Sequence, residues 1–320
     1  MKQNSPLISV IVPVYNAGKY LTDTLASIST QTYRHIEPVI VNDGSTADDS
    51  TVCRAFAASH HATKLIEQNN RGQSAARNVA LEAATGEYIV FLDADDVMAP
   101  QFCETMLHII QATESDMVDA QHIDFHQSYP EWKPEPRQHL SMTGIDSLAD
   151  MLYQRHLTSA PWGKIFRHTA IGDHRFRHGI IYEDLEWLSR VLPDMRRVTW
   201  SDSSIYGYRQ HADSALGHFS SARLDVLKVT AEIRTRVAAQ YPELIPAADD
   251  RMLSASFNML ALLELNGRGN TPEADQCWQT ICRLRGQSLR NPQVRLKNKV
   301  GAIASLGGRK MFNLLAHVIR

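Results

Sequence analysis

Tyr88-Ile89-Val90-Phe91-Leu92-Asp93-Ala94-Asp95-Asp96 carries five apolar residues straight into three carboxylates within four positions. An unbroken apolar run fits a strand covered on both faces, as at the centre of a parallel-type sheet, and ligands in such folds collect beyond the carboxyl ends of the strands. The acids begin where this strand ends. Carboxylates so crowded repel one another unless a cation sits among them, and hard oxygen ligands favour Mg2+ or Mn2+. Asp93 and Asp95 are therefore candidate metal-site acids. The competing explanation is an acidic turn capping a helix that opens at Pro100.

The chain before this stretch repeats one pattern. Leu7 to Pro13 is a β-rich run, with Pro13 expected to stop it. Tyr15-Asn16-Ala17-Gly18 reads as a loop, and Leu21, Leu25 and Ile28 follow at helical spacing. A second strand, Glu37 to Val41, enters the turn-and-cap cluster Asn42-Asp43-Gly44-Ser45-Thr46 ahead of a helix through Val52 and Phe56. Lys64 to Glu67 is a third strand, and Ser74 to Ala84 a helix ended by Gly86. Four strands alternating with three helices predict a parallel, right-handed α/β half-domain with its loops gathered at one edge.

Further on, Phe125 to Ser141 shows no helical period and is expected to be a loop. Gly179 to Tyr182 reads as a short extended stretch entering a helix through Leu185, Leu188 and Val191. Ser204 to Tyr208 reads as a strand, with Ser214 in a polar loop after it. From Ala222 the spacing turns helical, through Leu224, Leu227 and Ile233 and then Met252, Phe257, Leu260 and Leu263, ended by Gly267.

The 320 residues suffice for one large domain or two ordinary ones, and 43% hydrophobic with 21% charged residues describe a globular protein rather than a disordered one. Cys53, Cys103, Cys277 and Cys282 have neither C-x-x-C nor metal-ligand spacing and are expected to be reduced thiols. Met1 to Ser9 offers no signal peptide or membrane span, so a cytoplasmic location is expected. The net charge of −2 conceals an asymmetry: from Gln276 onward there are nine Lys/Arg and no Asp/Glu, a +9 tail against −11 elsewhere.

Four motifs stand in order: Val-Ile-Val-Pro-Val-Tyr-Asn from Val10, Val-Asn-Asp-Gly-Ser-Thr from Val41, Ala-Ala-Arg-Asn from Ala75 and Phe-Leu-Asp-Ala-Asp-Asp from Phe91. Together they resemble a family 2 glycosyltransferase. The resemblance is strong over residues 7 to 100 and weaker through Pro161-Trp162-Gly163-Lys164, Tyr182-Glu183-Asp184 and Tyr208-Arg209-Gln210-His211; it is not seen after about Ser220. It implies the GT-A fold, a Rossmann-like, mostly parallel central sheet flanked by helices, over residues 1–220, with a helical C-terminal region over 221–320. It also implies transfer of a sugar with inversion from a nucleoside-diphosphate sugar, UDP-linked by expectation, with a divalent cation, Mn2+ or Mg2+, as cofactor. The acceptor would be a hydroxyl of a saccharide or lipid-linked molecule, in cell-surface polysaccharide synthesis, with no nucleic-acid partner.

By the same resemblance Pro13, Tyr15 and Asp43 hold the nucleoside. A Tyr15 ring face suits a nucleobase, and a carboxylate accepts the imide N–H of uracil. The plainer alternatives are a half-buried loop aromatic and a turn cap. Arg77 pairs with phosphate or with Asp43, or simply secures its helix. Asp95 is the expected metal ligand, Asp93 assists at the metal shell or at ribose and sugar hydroxyls, and Asp96 caps the next segment. Asp184, in the first turn of its helix, is the expected base for the acceptor hydroxyl, with Glu183 and Glu186 as alternatives. Arg209 would clamp phosphate, His211 would touch the metal, and Trp162 and Lys164 would shape the acceptor side, near the Phe125–Ser141 loop.

Two other functions compete. Phe91 to Val97 also fits the D-x-D-x-[TV] opening of a haloacid dehalogenase-type phosphatase, yet three strands precede it and no downstream G-D-x-x-x-D follows. A nucleotide-sugar-binding protein without catalysis is the other. In the tail, Val300, Ile303, Leu306, Met311, Phe312, Leu314, Leu315, Val318 and Ile319 outline an apolar stripe flanked by Arg309, Lys310, Asn313, His317 and Arg320. That pattern fits either docking on an anionic membrane surface, peripheral to its inner face, or a helix packed on the rest of the protein.

Overall fold

The computed structural model describes residues 5–211 and 219–319, with side chains of the last helix described as far as Leu314. Met1 to Asn4, Ser214, and the side chains of Leu315, His317, Val318, Ile319 and Arg320 lie outside the described residues.

The chain opens with β1 (Ile8–Val14), α1 (Leu21–Ser29), β2 (Ile36–Asp43), α2 (Ala47–Ser59), β3 (Lys64–Gln68), α3 (Gln73–Ala83) and β4 (Tyr88–Phe91). It continues with β5 (Val97–Met98), α4 (Phe102–Ala112), β6 (Met117–Phe125), β7 (His139–Met142), α5 (Gly144–Leu152), β8 (Lys164–Arg167), α6 (His168–Ile171), α7 (Glu183–Val191) and β9 (Val198–Arg209). Five helices close it: α8 (Asp225–Gln240), α9 (Ile245–Leu265), α10 (Pro272–Arg290), α11 (Leu296–Leu306) and α12 (Arg309–Ile319).

The strands form one sheet in the order β3-β2-β1-β4-β8-β6-β9-β5, with β7 added on β9. β3, β2, β1 and β4 run parallel, as the alternation of strands and helices requires; β8 is antiparallel to both β4 and β6, while β6 and β9 are parallel. The sheet is thus mixed in its second half. The change falls at β4, where the acidic stretch begins.

Three local expectations need correction. β1 does not stop at Pro13 but runs through it to Val14. Alternate residues of a strand turn their backbone groups to opposite neighbours, and Ile11 faces β4, accepting from the Leu92 N–H at 2.9 Å. Pro13 therefore faces the same side past the end of the β4 ladder, where no donor is needed. The Phe125–Ser141 stretch is not all loop: Phe125 ends β6, and His139 to Ser141 pair with β9. Gly179 to Tyr182 is not extended, because Gly179 and Tyr182 both take positive φ, 74° and 72°.

The chain divides into two compact units. One comprises 1–147, 159–179 and 190–214, and the other 148–158, 180–189 and 215–320. In the first, Val10, Val12, Val90, Leu92, Ile165 and Ile205 of the sheet are packed with Leu25, Phe102 and Met106 of the helices. In the second, α8 to α12 gather around Leu253, Leu260, Leu263, Cys277 and Ile281.

Candidate active site

The carboxyl ends of β1 and β2 are zipped together by their loops. Asn16, at φ 50°, donates its N–H to Ser45 Oγ at 3.2 Å and accepts from the Thr46 N–H at 3.0 Å, while Ser45 Oγ donates to the Val14 carbonyl. This lattice leaves the Tyr15 ring 54% exposed, open on a face to stacking. Pro13 beneath it is buried and shapes the strand end.

Asp43 is buried, and its carboxylate accepts from Gln68 Nε2 at 2.6 Å, the Arg71 N–H at 2.9 Å and the Gly72 N–H at 2.8 Å. It holds the 70–72 turn that opens α3, where Gly72 has φ 86°. Its partner is not Arg77. The Arg77 guanidinium, itself buried, instead donates to Asp93 Oδ1 at 2.8 Å and lies over the Phe176 ring. Asp93 is thus neutralised from the side of α3, which lets it sit beside two further acids.

Residues 93–96 form a turn closed by the Asp96 N–H on the Asp93 carbonyl at 3.1 Å, with Thr24 Oγ1 within 2.9 and 2.8 Å of the Ala94 and Asp96 carbonyls. Asp96 does not cap the next helix, which begins only at Phe102. It is fully buried and accepts from Tyr206 Oη at 2.7 Å and the Arg209 N–H at 2.8 Å, pinning the turn to β9. Burial, then the charges of Asp95 and Asp93, push its carboxyl well above the ordinary range despite those hydrogen bonds.

Arg209 is a buried strut. Its Nε donates to the Asp95 carbonyl at 2.8 Å, its Nη2 to Asp23 at 3.0 Å, and its guanidinium is sandwiched between the Tyr20 and Phe125 rings. His211 Nε2 stands 2.8 Å from Asp95 Oδ2, and its buried Nδ1 has no partner among the described residues.

No group of three or more His, Cys, Asp or Glu positioned to hold a metal ion is found among the described residues. Two donors of the right kind nevertheless converge, Asp95 Oδ2 and His211 Nε2. Mg2+-type cations commonly take one or two protein carboxylates and complete their shell with substrate phosphates and water. The residues present fit that arrangement.

Trp162 stacks between Tyr206 and Tyr208, each with ring centroids 4.9 Å away, and His122 meets it edge-on at 5.1 Å. Burial, then the nearby carboxylates, raises the Tyr208 phenol to about 12, so it is a neutral hydrogen-bonding group. Lys164 is fully buried and paired with Asp119 at 2.9 Å, so any part it plays on the acceptor side is through packing. Asp184 belongs to the other unit and opens α7, its Oδ1 accepting from the Leu185 N–H at 2.6 Å. In that unit burial lowers the Arg251 guanidinium to about 10, opposed by the Asp184 carboxylate.

Thr24, Asp23, Gln68 and Tyr206 also build the site, and nothing in their local sequence singles them out. Their partners lie 25 to 186 positions away along the chain.

A half-parallel sheet whose switch to antiparallel pairing coincides with clustered carboxylates, beside an exposed aromatic and a buried Arg–Asp pair, defines a GT-A fold. The model of the family described as glycosyl transferase family 2 matches residues 9–175. The chain belongs to that family. It is 32% identical over 223 residues to the uncharacterized glycosyltransferase YibD of Escherichia coli, covering 67% of this chain and 64% of that protein. It is 34% identical over 217 residues to glycosyltransferase GlyA of Streptococcus pneumoniae, covering 63% of this chain and 30% of that protein. The chain therefore spans less than two thirds of either relative. Among solved structures it is similar to S. aureus TarS in complex with UDP-GlcNAc, with a TM-score of 0.68 and 21% identity over 98% of this chain and 90% of that one. A mannosyltransferase from Pyrobaculum calidifontis in complex with GDP-Man and Mn2+ follows at a TM-score of 0.55, with 17% identity over 99% of this chain and 87% of that one.

Proposed function

We propose that this chain transfers a sugar, with inversion, from a nucleoside-diphosphate sugar to a hydroxyl of a saccharide or lipid-linked acceptor in cell-surface polysaccharide synthesis. The observation that carries the reading is the clustering of Asp93, Asp95 and His211 beside Tyr15 and Asp43 at the carboxyl edge of the sheet. A hexosyl or N-acetylhexosaminyl group is the expected cargo, and the UDP-GlcNAc complex of TarS supports a UDP-linked donor. The Mn2+ of the Pyrobaculum enzyme supports a divalent cation.

Each residue then has a task. Tyr15 stacks on the base; Asp43 shapes the α3 turn beneath it and offers a carboxylate edge. Arg77 holds Asp93, which meets ribose or sugar hydroxyls. Asp95 and His211 supply protein ligands for the cation, which when bound stabilises the negative charge of the departing diphosphate. Arg209 sets the position of Asp95 through its backbone. Trp162 and Tyr208 present an aromatic wall to the acceptor, and Asp184 takes the proton from its hydroxyl. We assign the catalytic domain to 1–220 and the helical region to 221–320.

Incubation with a panel of UDP- and GDP-sugars and Mn2+, read by release of nucleoside diphosphate and mass spectrometry of products, tests the reading. Metal-dependent consumption of one donor is expected. Nucleotide binding with no donor consumed under any acceptor would favour a non-catalytic binding protein.

A further inference from the structure

The penultimate helix inverts the usual burial rule. In α11 the buried residues are Asn298, Gly301, Ala302, Ala304 and Ser305, whereas Leu296, Val300, Ile303 and Leu306 are 41 to 77% exposed. Steps of four, three and three residues put those four side chains on one face. The inner face is small because the helix lies close: a Cβ on Gly301 would come within 3.0 Å of the Phe257 ring. In α12, Phe312 turns inward and stacks on Phe257 at 5.3 Å, while Met311 and Leu314 remain exposed. Of the eleven large apolar side chains exposed among the described residues, six lie between 296 and 314. A helix serving only to cover its core would turn its leucines inward.

Charge indicates what covers this face. Lys297 and Lys310 are exposed and Lys299 is half-buried beside it, and no Asp or Glu occurs after Asp275. Arg309 is already engaged by Asp275 and Glu264 and contributes little. Two copies meeting through the face would set lysine against lysine, whereas anionic headgroups complement them. No helix among the described residues is long and apolar enough to cross a membrane. The association available is in-plane, with the apolar stripe at the acyl boundary and the lysines at the headgroups.

We propose that the outer face of α11, continued by Met311 and Leu314, docks this protein on an anionic lipid bilayer. The proposal is independent of the sugar-transfer reading, and its test uses no substrate. The intact protein is floated with vesicles of phosphatidylcholine alone or with about one third phosphatidylglycerol, at roughly 0.1 and 0.5 M salt. Binding to the anionic vesicles, weakened by salt, is expected. Ile303→Asp with Leu306→Asp, both on the exposed face, should reduce it at least about tenfold with an unchanged melting temperature; Lys297→Gln with Lys310→Gln should weaken it and flatten its salt dependence. Absence of binding by the intact protein, or binding indifferent to Ile303→Asp/Leu306→Asp, overturns the proposal. So would a concentration-dependent dimer, seen by light scattering, that the same aspartates dissolve while vesicles leave it intact.

Discussion

At the residue scale, the three acids of 93–96 are separated by their partners rather than by their chemistry. Asp93 is balanced by Arg77, Asp96 is buried on Tyr206 and the Arg209 N–H, and Asp95 keeps its carboxylate for His211. Asp95 is thus the acid free to take a cation with little disturbance of the fold. Asp95→Asn should abolish the Mn2+-dependent part of UDP affinity by calorimetry, weakening Kd at least about tenfold, or roughly 1.4 kcal/mol. Its melting temperature should hold, because the Arg209 contact is with the Asp95 backbone. Undiminished metal-dependent affinity would remove Asp95 from the ligand set. Arg77→Met should behave differently. It removes the buried guanidinium that balances Asp93 beside two acids, so stability should fall by about 1–3 kcal/mol, measured by urea unfolding.

At the scale of elements, Glu37 ties four segments of the first unit together. Buried on β2, it accepts from Ser9 of β1 at 2.6 Å and from the Thr85 hydroxyl and N–H ahead of β4, and it pairs with Lys64 of β3. Burial alone would raise its carboxyl, but Lys64, Ser9 and Thr85 overcome that and hold it at about 2. The folded pKa lies below the unfolded one, near 4.5, so the unfolded chain binds the proton more readily in between. The stabilisation is complete above about pH 4.5 and is lost as pH falls toward 2, amounting to about 3 kcal/mol. Glu37→Gln should lower stability at neutral pH by a similar amount and flatten the pH dependence across that window. Parallel acid-melting curves for the two proteins would dismiss the assignment.

For the whole molecule, the two compact units divide the proposed tasks. The first carries the carboxyl-edge cluster; the second carries Asp184, the helices α8 to α12 and the +9 tail. Donor binding and acceptor activation should therefore separate by mutation. Asp184→Asn should leave the Kd for UDP and Mn2+ unchanged while turnover drops about a hundredfold or more, as expected when a general base is removed. Near-normal turnover would move the base elsewhere, with Glu183 the next to test.

By itself the sequence determined the succession of the first four strands along the chain and their parallel direction, because hydrophobic period and turn chemistry are local properties of a few adjacent residues. It also placed the acids at a strand end, and four ordered motifs led to the family. Only the tertiary structure decided which acid does what. Arg77 chose Asp93 over Asp43 because Asp43 is spent on the 70–72 turn, and Asp96 became a buried anchor because Tyr206 and Arg209 arrive from a strand over a hundred positions later. Lys164 likewise became a buried ion-pair partner once Asp119 came to meet it from β6. The tail shows the same division. Its apolar spacing was legible, but whether that stripe faced the core or the surroundings depended on Gly301 lying against Phe257. Such partnerships form between residues far apart in the chain, where burial and hydrogen-bond supply are set by packing, and no local pattern records them.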